Sequence, residues 1–395
     1  MDPADALKLA RELMEDFAVT TGLDPPGAQP RRYLWTDAFA VCNYLGFFQQ
    51  TGDAYFRELA IRLIGQVHHT LGRHRNDDPR TGWISGLEPG KGELHPAIGG
   101  LRIGKSLPER GPGEPYNEQR EWDRDGQYYH YLTKWMHALG RAGAITGNPV
   151  YVQWAVDLAR TAHAKFTYRS GSRMRMYWKM SIDLSRPLVP SMGQHDPLDG
   201  LLTYAMLRRA AGGDAGPPVL EQEMADMAGM VRNMPLATSD PLGIGGLLFD
   251  SVRIARLTVQ GGLVSPGLLE SVTAAALDGL GAFVRTRSLE LPAGYRLAFR
   301  ELGLAIGLAG TEQILAGILE NPHRSVNAAA LRRQAGELQH FMPLKQTIEE
   351  FWLERENQAS ATWKEHREIN TVMLATSLAP GGFLEFPAKN DDGLG

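Results

Sequence analysis

Carboxyl, imidazole and aromatic side chains cluster at six places along this chain. Trp35 and Asp37 form the first group. Glu121-Trp122-Asp123-Arg124-Asp125 and Gln127-Tyr128-Tyr129-His130 form the second, and Gln194-His195-Asp196-Pro197-Leu198-Asp199 the third. Ser239-Asp240-Pro241 is the fourth, Tyr295-Arg296 with Arg300-Glu301 the fifth, and Trp363-Lys364-Glu365-His366-Arg367-Glu368 the sixth. Sugars present apolar ring faces edged by hydroxyls, so a sugar site needs flat aromatics and forked polar groups. Trp35, Trp122, Tyr128, Trp178 and Trp363 supply rings; Asp37, Arg124, Gln127, Arg296 and Arg300 supply polar contacts. Glycoside cleavage needs one protonated and one ionised carboxyl, and Asp123, Asp125, Asp196, Asp199, Glu301 and Glu368 are the candidates. Asp196 and Asp199 are three apart and share a helix face, whereas Asp123 and Asp125, two apart, diverge. An adjacent Arg124 or Arg296 would keep one carboxyl ionised, and burial against Trp122 would hold another protonated. Histidine does acid–base work without a carboxyl pair, so His195 and His366 can exchange protons on opposite faces of a sugar.

These groups need elements to bring them together, and the pattern between them supplies such elements. An apolar helix ending in Thr51-Gly52-Asp53, followed by an amphipathic helix with an early Tyr55, is repeated at Thr146-Gly147-Asn148 with Tyr151. Weaker copies continue along the chain, the mark of a repeat architecture. Amphipathic helices are expected near 3–20, 53–71, 149–167, 217–233, 266–287 and 325–340. Helices apolar on most sides, and therefore enclosed by protein, are expected near 36–50, 125–143, 197–211, 241–260, 295–310 and 364–378. Six of each predict an all-α (α/α)6 toroid, six inner helices within six outer ones, as one domain over 1–395. Each chemical group lies at an inner-helix start. A capping role explains Asp240 before Pro241, and fits Asp196 before Pro197, but caps do not require the Trp, His and Arg beside the others. Two Gly- and Pro-rich stretches, 72–122 and 168–196, are too long for idle connections and are read as loops closing over a pocket; Met174–Asp183 within the second alternates like a short ribbon.

This layout resembles the six-hairpin glycosidase superfamily, in which the pocket lies at the mouth formed by inner-helix N-termini and long loops. Gln194-His195-Asp196 is similar to the His-Asp segment of the unsaturated glucuronyl hydrolases, which implies an acid/base role for Asp196. His366 and Glu368 are similar to late residues of the N-acylglucosamine epimerases, which share the toroid. The resemblance implies an exo-acting glycoside hydrolase. A sugar epimerase or isomerase using His195 and His366 is the alternative, and a non-catalytic ligand-binding toroid the third.

Composition narrows the partners. Net charge is −4 with no basic stripe, which argues against nucleic acid. No apolar run reaches the ~18 residues of a membrane span, and the acidic start lacks a signal-peptide pattern, so a cytoplasmic location without membrane contact is expected. Cys42 is the single cysteine; it is read as a buried small hydrophobe. Gly99 to Ser106 has phosphate-loop spacing but no strand before it. Neither cofactor nor metal is expected, since His195, Asp196 and Asp199 lack recognised ligand spacing. The partner is a small saccharide or sugar acid; the oligomeric state is not legible. If the reading holds, His195, Asp125, Glu301 and His366 converge on one cavity, which interatomic distances decide.

Overall fold

The computed structural model describes residues 1–212, 219–232, 234–259, 265, 267–314 and 328–385. Its long helices are α1 (Pro3–Thr20), α2 (Leu34–Thr51), α3 (Ala54–Leu71), α4 (Tyr129–Thr146), α5 (Val150–Phe166), α6 (Asp196–Ala210) and α7 (Glu221–Val231). They continue with α8 (Pro241–Val259), α9 (Leu268–Arg285), α10 (Ala298–Ala309), α11 (Ala328–Gln339), α12 (Pro343–Leu353) and α13 (Arg367–Leu378). Helices α2, α4, α6, α8, α10 and α13 pack in succession, and α13 returns to α2, closing a ring. Each inner helix carries an outer one: α3 on α2, α5 on α4, α7 on α6, α9 on α8, α12 on α10, and α1 on α13. The protein is an (α/α)6 toroid.

The two helix types follow from their residues. Every position of α2 from Leu34 to Phe47 is buried. In α3 the buried positions are Phe56, Leu59, Ala60, Leu63, Ile64, Val67, His68 and Leu71, the single stripe of an amphipathic helix. Cys42 lies in the enclosed stretch of α2, and burial pushes its thiol up to about 12. The repeated turn is built alike in both copies. Gly52 and Gly147 adopt left-handed φ of 71° and 69°, which glycine takes without strain. Asp53 and Asn148 then cap the next helix through the amides of Tyr55 and Val150.

Three differences from expectation matter for the site. The second inner helix begins at Tyr129, not 125, because Gln127–Tyr128 (β1) is extended and pairs with Lys179–Met180 (β4), which also pairs with Pro187–Val189 (β5). The expected ribbon is therefore split: Arg173–Met176 (β3) pairs with Thr167–Ser170 (β2). The fifth and sixth inner helices likewise start late, at Ala298 and Arg367, which leaves Arg296 outside the fifth and His366 outside the sixth. Finally, α12 was not anticipated; it covers α10 with Ile348 and Trp352 buried, whereas α11, the expected sixth outer helix, packs on α9. Residues 217, 218, 233, 260, 266 and 325–327 of the expected helices lie outside the described residues. Among the described residues, no helix is long and apolar enough to cross a membrane.

Small residues set how closely inner helices approach. A Cβ on Gly245 of α8 would stand 2.1 Å from the Gly303 carbonyl oxygen of α10, and one on Gly307 would stand 2.6 Å from the Gly245 carbonyl oxygen. Gly246, one residue on, has open space. Gly245→Ala is expected to destabilise by about 1–3 kcal/mol through overpacking. Gly246→Ala should be neutral or stabilising by up to ~1 kcal/mol through helix propensity. Chemical denaturation of the two variants checks this; equal effects would show that the α8–α10 contact does not depend on the missing Cβ.

Candidate active site

The inner helices run the same way round the ring, so their N-termini meet at one mouth. A cavity of about 1380 Å³ opens there. Its floor comes from inner-helix starts and its walls from the two long loops, through Arg102 and Lys105 of one and Trp178 and Gln194 of the other. The loops are bound to each other: Arg80 pairs with Asp183 at 2.7 Å, and the buried Lys179 ammonium donates to Glu121 at 3.0 Å.

Of the residues singled out from sequence, Asp123, His195, Asp196, Asp199, His366, Glu368, Trp35, Trp122, Tyr128, Trp178 and Arg300 line this cavity. His130, Gln194, Asp240, Lys364, Glu365 and Arg367 line it too, whereas Asp125, Glu301, Asp37, Arg124, Gln127, Arg296 and Trp363 do not reach it. Asp125 is wholly buried, accepting from Arg102 at 2.6 Å, Arg75 at 3.3 Å and the Gly104 amide at 3.0 Å. Glu301 takes a forked pair from Arg296 and the Trp352 indole N–H at 2.8 Å. Asp37 caps α2 through the Tyr33 amide and pairs with Arg32 at 3.1 Å. Arg124 is clamped on Glu114. Gln127 ties three loop segments, through Leu101, Gly99 and Ile182. Trp363 stacks on Trp352 in the core. Thus His195 and His366 meet at the cavity while Asp125 and Glu301 are turned into buried ion pairs, because Asp125 precedes the true helix start and Glu301 lies where Arg296 folds back beneath it.

The two Asp-Pro helix starts, alike in sequence, differ in structure. Asp240 caps α8, its Oδ2 accepting from the Gly243 amide at 2.9 Å, and it pairs with Arg300 at 2.7 Å. Asp196 is the first residue of α6, the N-cap being His195 without a side-chain cap. The Asp196 carboxyl is therefore not spent on the helix. It is buried, its Oδ2 has no hydrogen-bond partner among the described residues, and its Oδ1 lies 3.8 Å from His130 Nδ1.

Four residues absent from the sequence reading set the electrostatics. Asp199 accepts from Lys134 at 2.8 Å, from Arg253 at 2.6 Å and from the Thr133 hydroxyl; Arg253 also pairs with Asp250. Burial would raise the Asp199 pKa, but Lys134 and Arg253 outweigh it and hold the carboxyl well below the usual range. Asp196 lacks such partners. Burial, reinforced by the Asp199 charge and opposed by Lys134, pushes it up to about 7. Burial, with Lys134 adding, drives His130 down to about 3, so its ring is neutral. Burial also lowers His366, whose ring nitrogens have no partner among the described residues. The ring of His195 is tied through Nε2 to the Leu236 carbonyl at 2.7 Å. An Asp and an Arg three apart inside an otherwise apolar inner helix, Asp250 and Arg253, were a legible signal, because buried charges are paired.

Aromatic rings line the approach. Trp122, 44% exposed, meets Trp178 edge-on at 5.2 Å. Trp178 contacts Tyr128 at 5.1 Å and stacks over His130 at 6.1 Å. Trp35 lies against Tyr131 at 5.3 Å. No group of three metal-ligating side chains occurs among the described residues.

No protein-family model matches the chain, and no curated protein matches it in sequence. Among solved structures it is similar to cellobiose 2-epimerase from Spirochaeta thermophila, at 11% identity, 94% of this chain, 97% of that chain and a TM-score of 0.49. It is similar to a sugar epimerase from a ruminal bacterium, at 9% identity, 88% and 87% coverage and a TM-score of 0.47. It is also similar to Dfg5 from Chaetomium thermophilum, solved in complex with glucosamine, at 11% identity, 99% and 94% coverage and a TM-score of 0.32. The fold assignment rests on the closed ring of helices itself.

The raised Asp196 pKa has a stability consequence with a definite sign. Below the unfolded value of ~3.9 the carboxyl is protonated in both states. As pH rises towards about 7 the unfolded state ionises first, and the folded state loses stability relative to it. Asp196→Asn cannot ionise. It should match the wild type near pH 4 and exceed it at pH 8 by roughly 2–4 kcal/mol. Denaturation across this range tests it; a gain independent of pH would mean that Asp196 does not titrate as argued.

Proposed function

We propose that this protein is a carbohydrate-active enzyme that cleaves glycosides, with Asp196 as proton donor. The observation that carries the reading is the contrast between two buried carboxyls three residues apart. Asp196 is pushed up to about 7, while Asp199 is held ionised by Lys134 and Arg253. Carboxyls whose surroundings drive their titrations apart mark the acid and the charged partner of glycosidic chemistry. Asp196 gives its proton to the glycosidic oxygen as the bond to the ring carbon breaks. Asp199, fixed by its three donors, places negative charge near the positive charge that develops on the ring. Water then completes the cleavage. Trp35, Trp178 and Trp122 offer flat surfaces for sugar rings along the approach. Asp123 also lines the cavity and is the candidate for activating that water.

The arginines that would favour a sugar acid are each occupied: Arg124 by Glu114, Arg296 by Glu301 and Arg300 by Asp240. A non-catalytic toroid would have ordinary titrations in its pocket, and Asp196 speaks against it. The epimerase reading keeps one specific support: among the described residues His366 has no hydrogen-bond partner, and its lowered pKa leaves it able to accept a proton.

The acid must be protonated, so kcat/KM on a cleaved glycoside should fall as pH rises through about 7. Asp196→Asn should lower turnover by about 10²–10⁴-fold, the contribution of a positioned general acid, and lose that limb of the profile. A panel of aryl glycosides and free sugars followed by NMR in D2O separates the readings. Bond cleavage without carbon-bound deuterium supports the hydrolase. Deuterium entering next to the carbonyl of an intact sugar, abolished by His366→Ala, replaces it with the epimerase.

A further inference from the structure

Buried polar atoms are nearly always hydrogen-bonded, and each exception asks for an explanation. Three exceptions gather at the floor of the cavity: Nε1 of Trp35, Nδ1 of His130 and Oδ2 of Asp196 are buried and have no hydrogen-bond partner among the described residues. All three residues line the cavity. They are neighbours, with His130 Nδ1 3.8 Å from the Asp196 carboxyl and the Trp35 and His130 rings 6.1 Å apart, edge to face. Trp35 is 7% exposed and Asp196 5%, so neither atom can be satisfied by turning outward.

Their chemistry is complementary to two adjacent oxygens of one sugar. An indole N–H only donates. The neutral His130 ring, with its proton on Nε2, accepts at Nδ1. A hydroxyl does both, so a single hydroxyl can take the Trp35 hydrogen and give its own to His130. Protonated Asp196 donates to the neighbouring oxygen. We propose that Trp35 and His130 are the specificity-determining pair for the 2-hydroxyl of the pyranose whose glycosidic oxygen faces Asp196. The substrate class is thus a glycoside of a 2-hydroxy sugar, and 2-deoxy sugars are rejected. This inference rests on the glycoside reading above, because only that reading places the scissile oxygen at Asp196. Hydrogen bonds to the 2-hydroxyl also strengthen as the ring carbon becomes positive, so Trp35 and His130 would serve turnover as well as binding.

The test is binding of glucose, mannose and galactose, and of their 2-deoxy and 6-deoxy derivatives, by titration calorimetry to the wild type, Trp35→Phe and His130→Phe. Phenylalanine keeps an aromatic ring at each position and removes the ring nitrogens, together with part of the indole volume at position 35. The wild type should bind its preferred hexose about tenfold or more tighter than the 2-deoxy sugar, the cost of leaving buried groups unpaired. Each variant should shrink that ratio and leave the 6-deoxy ratio unchanged. A 2-deoxy ratio near one, or one that neither variant alters, overturns the inference while sugar binding stands. Failure of every hexose to bind the wild type overturns the glycoside reading and this inference with it.

Discussion

Asp199 carries a negative charge where water scarcely reaches, and three inner helices are arranged to keep it there. Lys134 and Thr133 come from α4, Arg253 from α8, and Asp199 itself from α6. Removing one partner from such a buried set leaves a charge uncompensated, at about 3–5 kcal/mol. The network therefore fixes the relative placement of three consecutive staves of the ring at the mouth. The same charge acts on Asp196, one helical turn away, and makes a second negative charge there unfavourable. One interaction thus positions the helices and keeps the neighbouring acid protonated.

Around that centre, charged residues divide into two kinds. Asp125, Glu301, Asp37, Arg124 and Arg296 are saturated by partners inside the protein. Asp125, through Arg75, Arg102 and the Gly104 amide, and Arg124, through Glu114, brace the first long loop, while the Glu301–Arg296 and Asp37–Arg32 pairs lie at inner-helix starts. Asp196, Trp35 and the half-buried His130 are the opposite: each has a buried polar atom without a partner among the described residues. Braces that use every lone pair and site atoms that use too few belong together, because an unsatisfied group persists only where its surroundings forbid it to relax.

The ring of helices was legible because each inner helix is apolar on nearly every side, and the Thr-Gly-Asp and Thr-Gly-Asn turns announce the hairpins. The position of the mouth followed from that. Which acids face it was less legible. Asp123 and Asp125 stand two apart in one segment, yet only Asp123 lines the cavity. The short strand Gln127–Tyr128, paired with residues 179–180, delays the helix and turns Asp125 inward. Likewise Asp240 and Asp196 both precede proline, and only the fold shows that one caps and the other does not. Pairings between residues fifty or more positions apart, such as Asp199 with Lys134 and Arg253, leave no local pattern, although a charged pair inside the apolar helix α8 was a visible clue. The helix α12 escaped because its two buried anchors, Ile348 and Trp352, make too narrow a stripe to stand out.

The ring closes through α1, which lies on α13, the last inner helix, with Arg367 reaching Asp16 at 3.0 Å and Arg31 reaching Glu368 at 2.8 Å. These contacts join residues some three hundred and fifty positions apart. During synthesis α1 therefore emerges long before the surface it must cover. Until α13 leaves the ribosome, the apolar flanks of α2 and α10 have no neighbour between them, and the growing chain is an open arc of hairpins. Loop-closure entropy makes such long-range joining the slow part of folding. The cavity, which takes lining residues from both ends of the chain, is accordingly assembled last.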